Sequence, residues 1–155
     1  MREEYTILFE GLASCGYLVI TMDHIYNAAL VEFPDETIIF SIPTLNGNAQ
    51  SLDVRTKDSS FVIEQLSNTA FVTQIPGIAH RDFKSSKIAM LGHSFGGTTT
   101  LSALGADKRV LGGVSLDGPP LGNEITLETK SRFFCFEETI ILDSMIQLGQ
   151  KCGNT

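Results

Sequence analysis

The sequence predicts an α/β fold, built on a mostly parallel sheet with helices on both of its faces. Short apolar runs typical of buried strands alternate along the chain with segments whose apolar residues recur at helical spacing. Strands that alternate with helices are joined by crossover connections, which make neighbouring strands parallel. With 155 residues, of which 43% are hydrophobic, the chain is long enough for one domain, residues 1–155, with its own core. We expect about four strands, a usual sheet size.

The first part of the chain predicts a helix, a strand and a hairpin arm. Apolar residues recur at helical spacing over residues 3–14, and Gly16 just beyond them is a typical helix stop. Tyr17–Met22 is a mostly apolar run that predicts a buried strand. Thr37–Ile42 is rich in β-branched and aromatic residues, which favours a strand or one arm of a hairpin.

The rest of the chain continues this alternation with three helical patterns and three apolar runs. Three charged residues lie near the first of these helical patterns, residues 58–68; they are Asp53, Arg55 and Asp58. We expect them on the surface, where they cap the helix or pair with each other, rather than in a site. In chain order, the elements are predicted at Asp58–Asn68, Ile88–Leu91, Thr98–Gly105, Arg109–Leu116, Phe133–Phe136 and Glu137–Gln150.

One motif connects the strand predicted at 88–91 to the helix that follows it. Residues 92–96 are Gly-His-Ser-Phe-Gly and fit the pattern G-x-S-x-G, with Ser94 at the centre. A strand, this motif and a helix together form the nucleophile elbow of an α/β-hydrolase, in which a strained turn exposes the serine hydroxyl. The helix N-terminus also favours a developing oxyanion there. The alternative is a turn that uses glycine for close packing and serine as the helix N-cap.

A serine nucleophile needs a base and a third group that orients this base. In α/β-hydrolases these follow the serine in the order Asp or Glu, then His. Asp117 ends the next predicted strand, where such groups gather, although an Asp-Gly turn that only closes the strand gives the same pattern. The three histidines, His24, His80 and His93, all precede Asp117, so chain order identifies no triad histidine. His24 alone ends a predicted strand at the catalytic edge, where it would line the site, although a histidine in a loop or in a supporting contact gives the same pattern and is the interpretation we prefer.

The composition argues against several classes of function. A formal net charge of −7 and a pI near 4.8 argue against nucleic-acid binding, which needs a basic face. The apolar runs are too short to cross a bilayer, and the acidic start MREEYTILFE does not resemble a signal peptide. Cys15, Cys135 and Cys152 leave an odd thiol and show no C-x-x-C spacing, so we expect neither a metal site nor a disulfide framework.

Several segments together resemble the platelet-activating factor acetylhydrolases, serine-dependent phospholipase A2 enzymes of the α/β-hydrolase fold. These segments are GLASCGYLVITMDH, VEFPDE, DVRTKD followed by FVIEQL, GHSFGGTTT and GVSLDG. The resemblance implies that Ser94 is the nucleophile, Asp117 the triad acid and the Phe95 backbone N–H one oxyanion donor. It also implies that no metal or other cofactor is needed. The expected substrate is a lipid ester, a phospholipid with a short or oxidised sn-2 acyl chain, and contact with a lipid surface fits this substrate.

The resemblance also sets expectations for the regions around these segments. Members carry an H-G-x-G-like loop before the first helix and a histidine-bearing loop near the end of the domain. Here the sequence begins at Met1, and residues 138–140, where the histidine is expected, are Glu-Thr-Ile. We therefore expect a central fragment, incomplete at both ends, with an exposed apolar sheet edge or face. It is either a lipid esterase or a hydrolase-like fragment or binding domain without catalysis. Relatives are often secreted, so the compartment stays open.

Overall fold

The computed structural model describes residues 5–45, 47–75, 77 and 87–119, together with the backbone of 133–136. The chain divides into two compact units, one formed by residues 1–51 with 140–155 and the other by residues 52–139. The first unit contains a helix and a hairpin, and the second contains the sheet that carries the G-x-S-x-G motif. Along the described part of the chain, no helix is both long and apolar enough to cross a membrane.

The first unit begins with a short helix and continues into a hairpin. Helix α1 spans Thr6–Ser14, and Gly16, with a φ of 87°, follows it as a stop. Strand β1 (Leu30–Glu32) pairs antiparallel with β2 (Ile38–Phe40), and a 3₁₀ turn at Pro43–Leu45 comes next. The predicted helix and the predicted hairpin arm are both confirmed.

The strand predicted at Tyr17–Met22 is wrong. The backbone there forms no regular element, and Tyr17 and Ile20 are 67% and 42% exposed. An apolar run becomes a strand only where a neighbouring strand supplies hydrogen-bonding partners, and none of the described strands does so here. Cys15, just before this segment, is disulfide-bonded, which the cysteine spacing did not predict.

Two helices lie between the hairpin and the sheet in the chain. Helix α2 spans Ala49–Gln65, and Asn48 caps its start by accepting a hydrogen bond from the Ser51 N–H at 2.7 Å. The helix begins well before the predicted 58–68. The prediction missed its first half because that half is largely polar and carries little apolar periodicity. Helix α3 spans Thr69–Val72.

The second unit contains a three-stranded parallel sheet in the order β3-β4-β5. The strands are β3 (Ile88–His93), β4 (Val110–Leu116) and β5 (Phe133–Phe136), and helix α4 (Phe95–Ala106) connects the first two. The predicted parallel sheet is therefore confirmed, with three described strands rather than four. The closing helix predicted at 137–150 lies outside the described residues.

Helices cover one face of this sheet in the described part of the chain. On β3, Ile88 and Met90 pack against the buried core. This core contains Ile63 of α2, Leu104 of α4 and Val110 of β4. The described helices of this unit cover this face, and the prediction of helices on both faces stays a prediction. The alternate residues of β3 point to the other face and are exposed; these are Ala89, Leu91 and His93. Two of the three are apolar, which agrees with the expected exposed apolar sheet face.

Candidate active site

Ser94 occupies the turn between β3 and α4 in a backbone conformation that serine rarely adopts. Its φ is 51° and its ψ is −122°. Such a conformation costs about 1–3 kcal/mol and persists only where neighbours hold it. Here the Ser94 N–H donates to Leu116 O of β4 at 2.8 Å, and Ser94 O accepts from the Gly97 N–H at 2.9 Å. The adjacent strand and the new helix therefore fix the turn.

The Ser94 side chain is exposed and does not cap the helix. Ser94 stands at the N-cap position of α4, yet its hydroxyl makes no capping hydrogen bond. The alternative interpretation, a serine used only as an N-cap, does not fit this geometry. An exposed, strained serine on a strand-to-helix turn has the geometry of a nucleophile elbow.

Two glycines, one in the motif and one directly after it, allow β3, α4 and β4 to approach closely. A Cβ at Gly92 would overlap the carbonyl group of Gly96, and a Cβ at Gly97 would overlap Ser115 Oγ. A Cβ at Gly96 itself would meet nothing within 4 Å. Packing therefore requires glycine at position 92 of the motif and at position 97, which follows it, but not at position 96, the second glycine of the motif.

The N-terminus of α4 presents backbone donors beside Ser94. Phe95 and Gly96 begin the helix, and N–H groups in a first helical turn have no acceptor within the helix. No acceptor among the described residues engages the Phe95 N–H. The positive end of the helix dipole lies at the same place, so this corner of the sheet is suited to a developing oxyanion.

Asp117 lies at the same edge of the sheet as Ser94. Strands β3 and β4 are parallel, and His93 pairs with Leu116 at their ends. Ser94 and Asp117 each directly follow one member of this pair. Asp117 is exposed and has a φ of 56°. The structure thus brings the two sequence-predicted side-chain positions to one edge, and both are open to solvent.

Two buried hydroxyl groups hold the loop after β4, residues 117–119. Ser115 Oγ accepts from the Gly118 N–H at 3.1 Å and donates to Gly118 O at 3.2 Å. Thr98 Oγ1 of α4 donates to Pro119 O at 2.7 Å. Ser115 and Thr98 are 0% and 1% exposed. Sequence reasoning missed both, since the only signals are a serine inside an apolar strand and one threonine among three in a helix.

Arg55 of α2 is buried against the motif, which contradicts its predicted place on the surface. It is 7% exposed, and its guanidinium carbon lies 4.7 Å from the centroid of the Phe95 ring, within cation–π range. Burial lowers the pKa of Arg55, and the charge of Asp58 opposes this shift. The surface prediction is confirmed for Asp53, whose carboxylate pairs with the exposed Lys57 ammonium at 2.6 Å.

The three histidines leave the base of the site unassigned. His93 is the last residue of β3 and is exposed, whereas His24 is half-buried and belongs to the first unit. His80 lies outside the described residues. Within the described ranges, no group of three or more His, Cys, Asp or Glu residues is placed to hold a metal ion. Ser94 and Asp117 therefore form a candidate nucleophile and acid without an assigned histidine.

The chain is similar to known esterases over much of its length. A curated relative from Arthroderma benhamiae, named "Probable 1-alkyl-2-acetylglycerophosphocholine esterase", is 34% identical over 128 residues, which cover 80% of this chain. The chain spans 30% of that relative's length. A solved structure, the ferulic acid esterase from Streptomyces cinnamoneus, is 29% identical with a TM-score of 0.48 and matches 62% of this chain and 26% of that one.

A family model covers the part of the chain that contains the sheet and the motif. The model of the family described as platelet-activating factor acetylhydrolase, isoform II, matches residues 50–137, more than half of the 155 residues. This range includes both Ser94 and Asp117. The chain therefore belongs to the platelet-activating factor acetylhydrolase, isoform II, family.

Proposed function

We propose that this chain supplies the nucleophile and the acid of a serine carboxylester hydrolase that acts on phospholipids with short or oxidised sn-2 acyl chains. The proposal depends above all on two residues at one sheet edge. Ser94 has a φ of 51° on a strand-to-helix turn, and Asp117 follows the adjacent parallel strand. Family membership supports the substrate class, because the curated relative is named as an esterase of a phospholipid with a 2-acetyl group.

The proposed reaction proceeds through an acyl-enzyme. Ser94 Oγ attacks the ester carbonyl carbon while a base takes the hydroxyl proton, and the Phe95 N–H and the start of α4 stabilise the oxyanion. The ester C–O bond then breaks, and the base returns the proton to the departing lysophospholipid oxygen. Water hydrolyses the acyl-Ser94 ester by the same steps and releases the carboxylic acid. Asp117 orients the base and stabilises its charged form.

A second candidate function is a hydrolase-like domain that binds lipid esters without cleaving them. It applies to residues 1–155 taken alone, because within them no histidine follows Asp117. Without a base the serine hydroxyl keeps its weak intrinsic nucleophilicity, and loss of a triad member costs several orders of magnitude in rate. Residues 1–155 alone are therefore expected to hydrolyse esters at or near the background rate.

Labelling with a fluorophosphonate probe separates the two candidates. The probe reacts with a serine only where a base activates the hydroxyl and oxyanion donors receive the phosphoryl oxygen. We expect little or no labelling of residues 1–155. We expect labelling of Ser94 in a longer form that carries an H-G-x-G loop before residue 1 and a histidine-bearing segment after residue 155. Ser94→Ala abolishes that labelling, whereas Ser67→Ala, at an exposed serine after α2, keeps it.

Two outcomes would contradict this expectation in different ways. A longer form that stays unlabelled refutes the esterase and leaves the binding domain. Strong labelling of Ser94 in residues 1–155 alone refutes the argument about the missing base, and His24→Ala is then the first variant to make.

A comparison of phosphatidylcholines with acetyl and palmitoyl sn-2 chains tests the substrate class. In the longer form, we expect kcat/KM to favour the acetyl chain by about tenfold or more. Equal values would refute the preference for short chains.

A further inference from the structure

The three consecutive threonines of α4 use their hydroxyl groups in two different ways. Thr99 and Thr100 donate to carbonyls four residues earlier in the same helix, at 2.8 and 3.0 Å. Thr98 instead donates to Pro119 O, in the loop after β4, at 2.7 Å. Thr98 and Thr100 are 1% and 0% exposed, so the two residues are equally buried. Of the three hydroxyl groups, only that of Thr98 joins α4 to another element.

The loop at 117–119 is held on both sides of Asp117 by the segment that carries Ser94. Before Asp117, Leu116 O accepts from the Ser94 N–H at 2.8 Å. After it, Pro119 O accepts from Thr98 Oγ1. Asp117 itself has a φ of 56°, a conformation that persists only where the surroundings support it. The Ser94 amide and the Thr98 hydroxyl thus bracket the candidate acid.

The loop also lies directly against the first turn of α4. A Cβ at Gly118 would lie 2.7 Å from Ser115 Oγ and 2.9 Å from the Cα of Gly97. The Gly118 N–H donates to Ser115 Oγ at 3.1 Å. With so little space on the helix side, the loop can only relax away from α4, and the hydrogen bond from Thr98 opposes that movement.

We propose that Thr98 is a positioning residue, which holds Asp117 at a fixed place relative to Ser94 through the Pro119 carbonyl. This role rests on the proposed function, in which Asp117 orients a base beside Ser94. Reaction geometry is demanding, since a displacement of about 1 Å caused by a distant change costs on the order of 10²-fold in rate. Removal of the Thr98 hydroxyl leaves Pro119 O without this donor and frees the loop to move.

Two valine variants of neighbouring threonines test the role. Thr98→Val removes the hydroxyl with little change of shape, and Thr100→Val does the same at a buried position whose hydrogen bond stays within α4. In the longer form, we expect Thr98→Val to lower kcat about 10- to 100-fold with KM within about twofold. Thr98→Ser should restore most of kcat, and Thr100→Val should keep kcat within about twofold. Equal losses in the two valine variants would indicate a general effect on the helix and overturn the proposal.

Amide hydrogen exchange in residues 1–155 gives a second readout that needs no hydrolysis. We expect Thr98→Val to speed exchange of the Gly118 and Ser94 N–H groups about tenfold or more relative to Thr100→Val. Unchanged exchange of Gly118 overturns the positioning role, whereas absence of Ser94-dependent hydrolysis in the longer form overturns the proposed function instead. If Thr98→Val does not fold, Thr98→Ala and Thr98→Ser, which differ by the hydroxyl alone, give the same comparison.

Discussion

The two ends of the β3–α4–β4 segment hold their polar groups in different ways. At the carboxyl ends of the strands, Ser94 and Asp117 have φ values of 51° and 56°, and both residues are exposed. At the other end, between α4 and β4, Asp107 is buried and lies 2.6 Å from Arg109 Nη2. Arg109 Nη2 also donates to Ser60 O of α2 at 3.2 Å. One end therefore has strained groups that face solvent, and the other has an ion pair with its hydrogen bonds satisfied.

This difference separates groups suited to chemistry from groups suited to stability. A strained backbone raises the free energy of the folded state, and such strain is typical of positions that a reaction requires. The buried carboxylate does the opposite: hydrogen bonds from Arg109, chiefly from its side chain, lower the pKa of Asp107 to about 2. We therefore expect substitutions of Ser94 and Asp117 to change activity more than stability, and substitutions of Asp107 and Arg109 to do the reverse.

Ser94→Gly is expected to separate activity from stability most clearly. Glycine adopts a positive φ without steric cost, and the variant keeps the backbone hydrogen bonds of residue 94. In residues 1–155 we expect the free energy of unfolding to rise by about 1 kcal/mol, as measured by urea denaturation. In the longer form we expect kcat/KM for a phospholipid with an sn-2 acetyl group to fall by about 10³-fold or more.

Ser94→Ala is the matched control for this substitution. Alanine removes the hydroxyl but keeps the Cβ, so the backbone strain remains. It should lose the same activity without the gain in stability. Equal stability of the glycine and alanine variants would mean that residue 94 is not strained, and the contrast between the two ends would lose its physical basis.

Gly97→Ala tests how tightly the first end is packed. A Cβ at this buried position would overlap Ser115 Oγ, so we expect the free energy of unfolding to fall by about 2–3 kcal/mol. Gly96→Ala is the control, because a Cβ there meets nothing within 4 Å. It should be neutral or stabilising by up to about 1 kcal/mol, since alanine favours the helix. Ser115→Ala should recover part of the loss in Gly97→Ala, and equal effects of the two alanine variants would contradict the close contact.

The strand, turn and helix around Ser94 could be predicted because their determinants are local. An apolar run specifies β3, and the glycines at 92 and 97 mark where the helix and the strands must come close. The strand continues to His93, slightly beyond the predicted 88–91. The position of Asp117 follows from topology, because adjacent parallel strands end at the same edge of a sheet.

The residues that sequence reasoning misjudged or missed are those whose environment is decided by distant parts of the chain. Tyr17–Met22 has the composition of a buried strand, but a strand also needs a partner, and composition does not supply one. Arg55 lies in a charged run typical of a solvated helix face, yet it packs on Phe95 of another helix. Thr98 differs from its two threonine neighbours only through Pro119, which it meets once α4 and β4 have packed.

Asp107→Asn is expected to have a smaller effect than Gly97→Ala, and to change stability alone. The folded-state pKa of Asp107 is lowered from 3.8 to about 2, so its carboxylate stabilises the fold fully above a pH of about 4, and this contribution is lost as the pH falls toward 2. Because solvent at the 38% exposed Arg109 side chain screens the pair, we expect a loss of about 1–2 kcal/mol at pH 7. Urea denaturation of the unsubstituted chain and of Asp107→Asn, at pH 7 and near pH 2, checks this. The difference between their free energies of unfolding should disappear at the lower pH.

Asp53→Asn is the matched control at an exposed pair of equal length. Its N–O distance to Lys57 is also 2.6 Å, but the two side chains are 58% and 73% exposed. Solvent screening then leaves less than about 0.5 kcal/mol to lose at pH 7. If Asp53→Asn and Asp107→Asn destabilised the chain equally, the Asp107–Arg109 pair would stabilise the fold no more than an exposed ion pair, despite its burial and its hydrogen bonds. Any stability contributed by this end of the β3–α4–β4 segment would then have to come from the packing of α4 on β4.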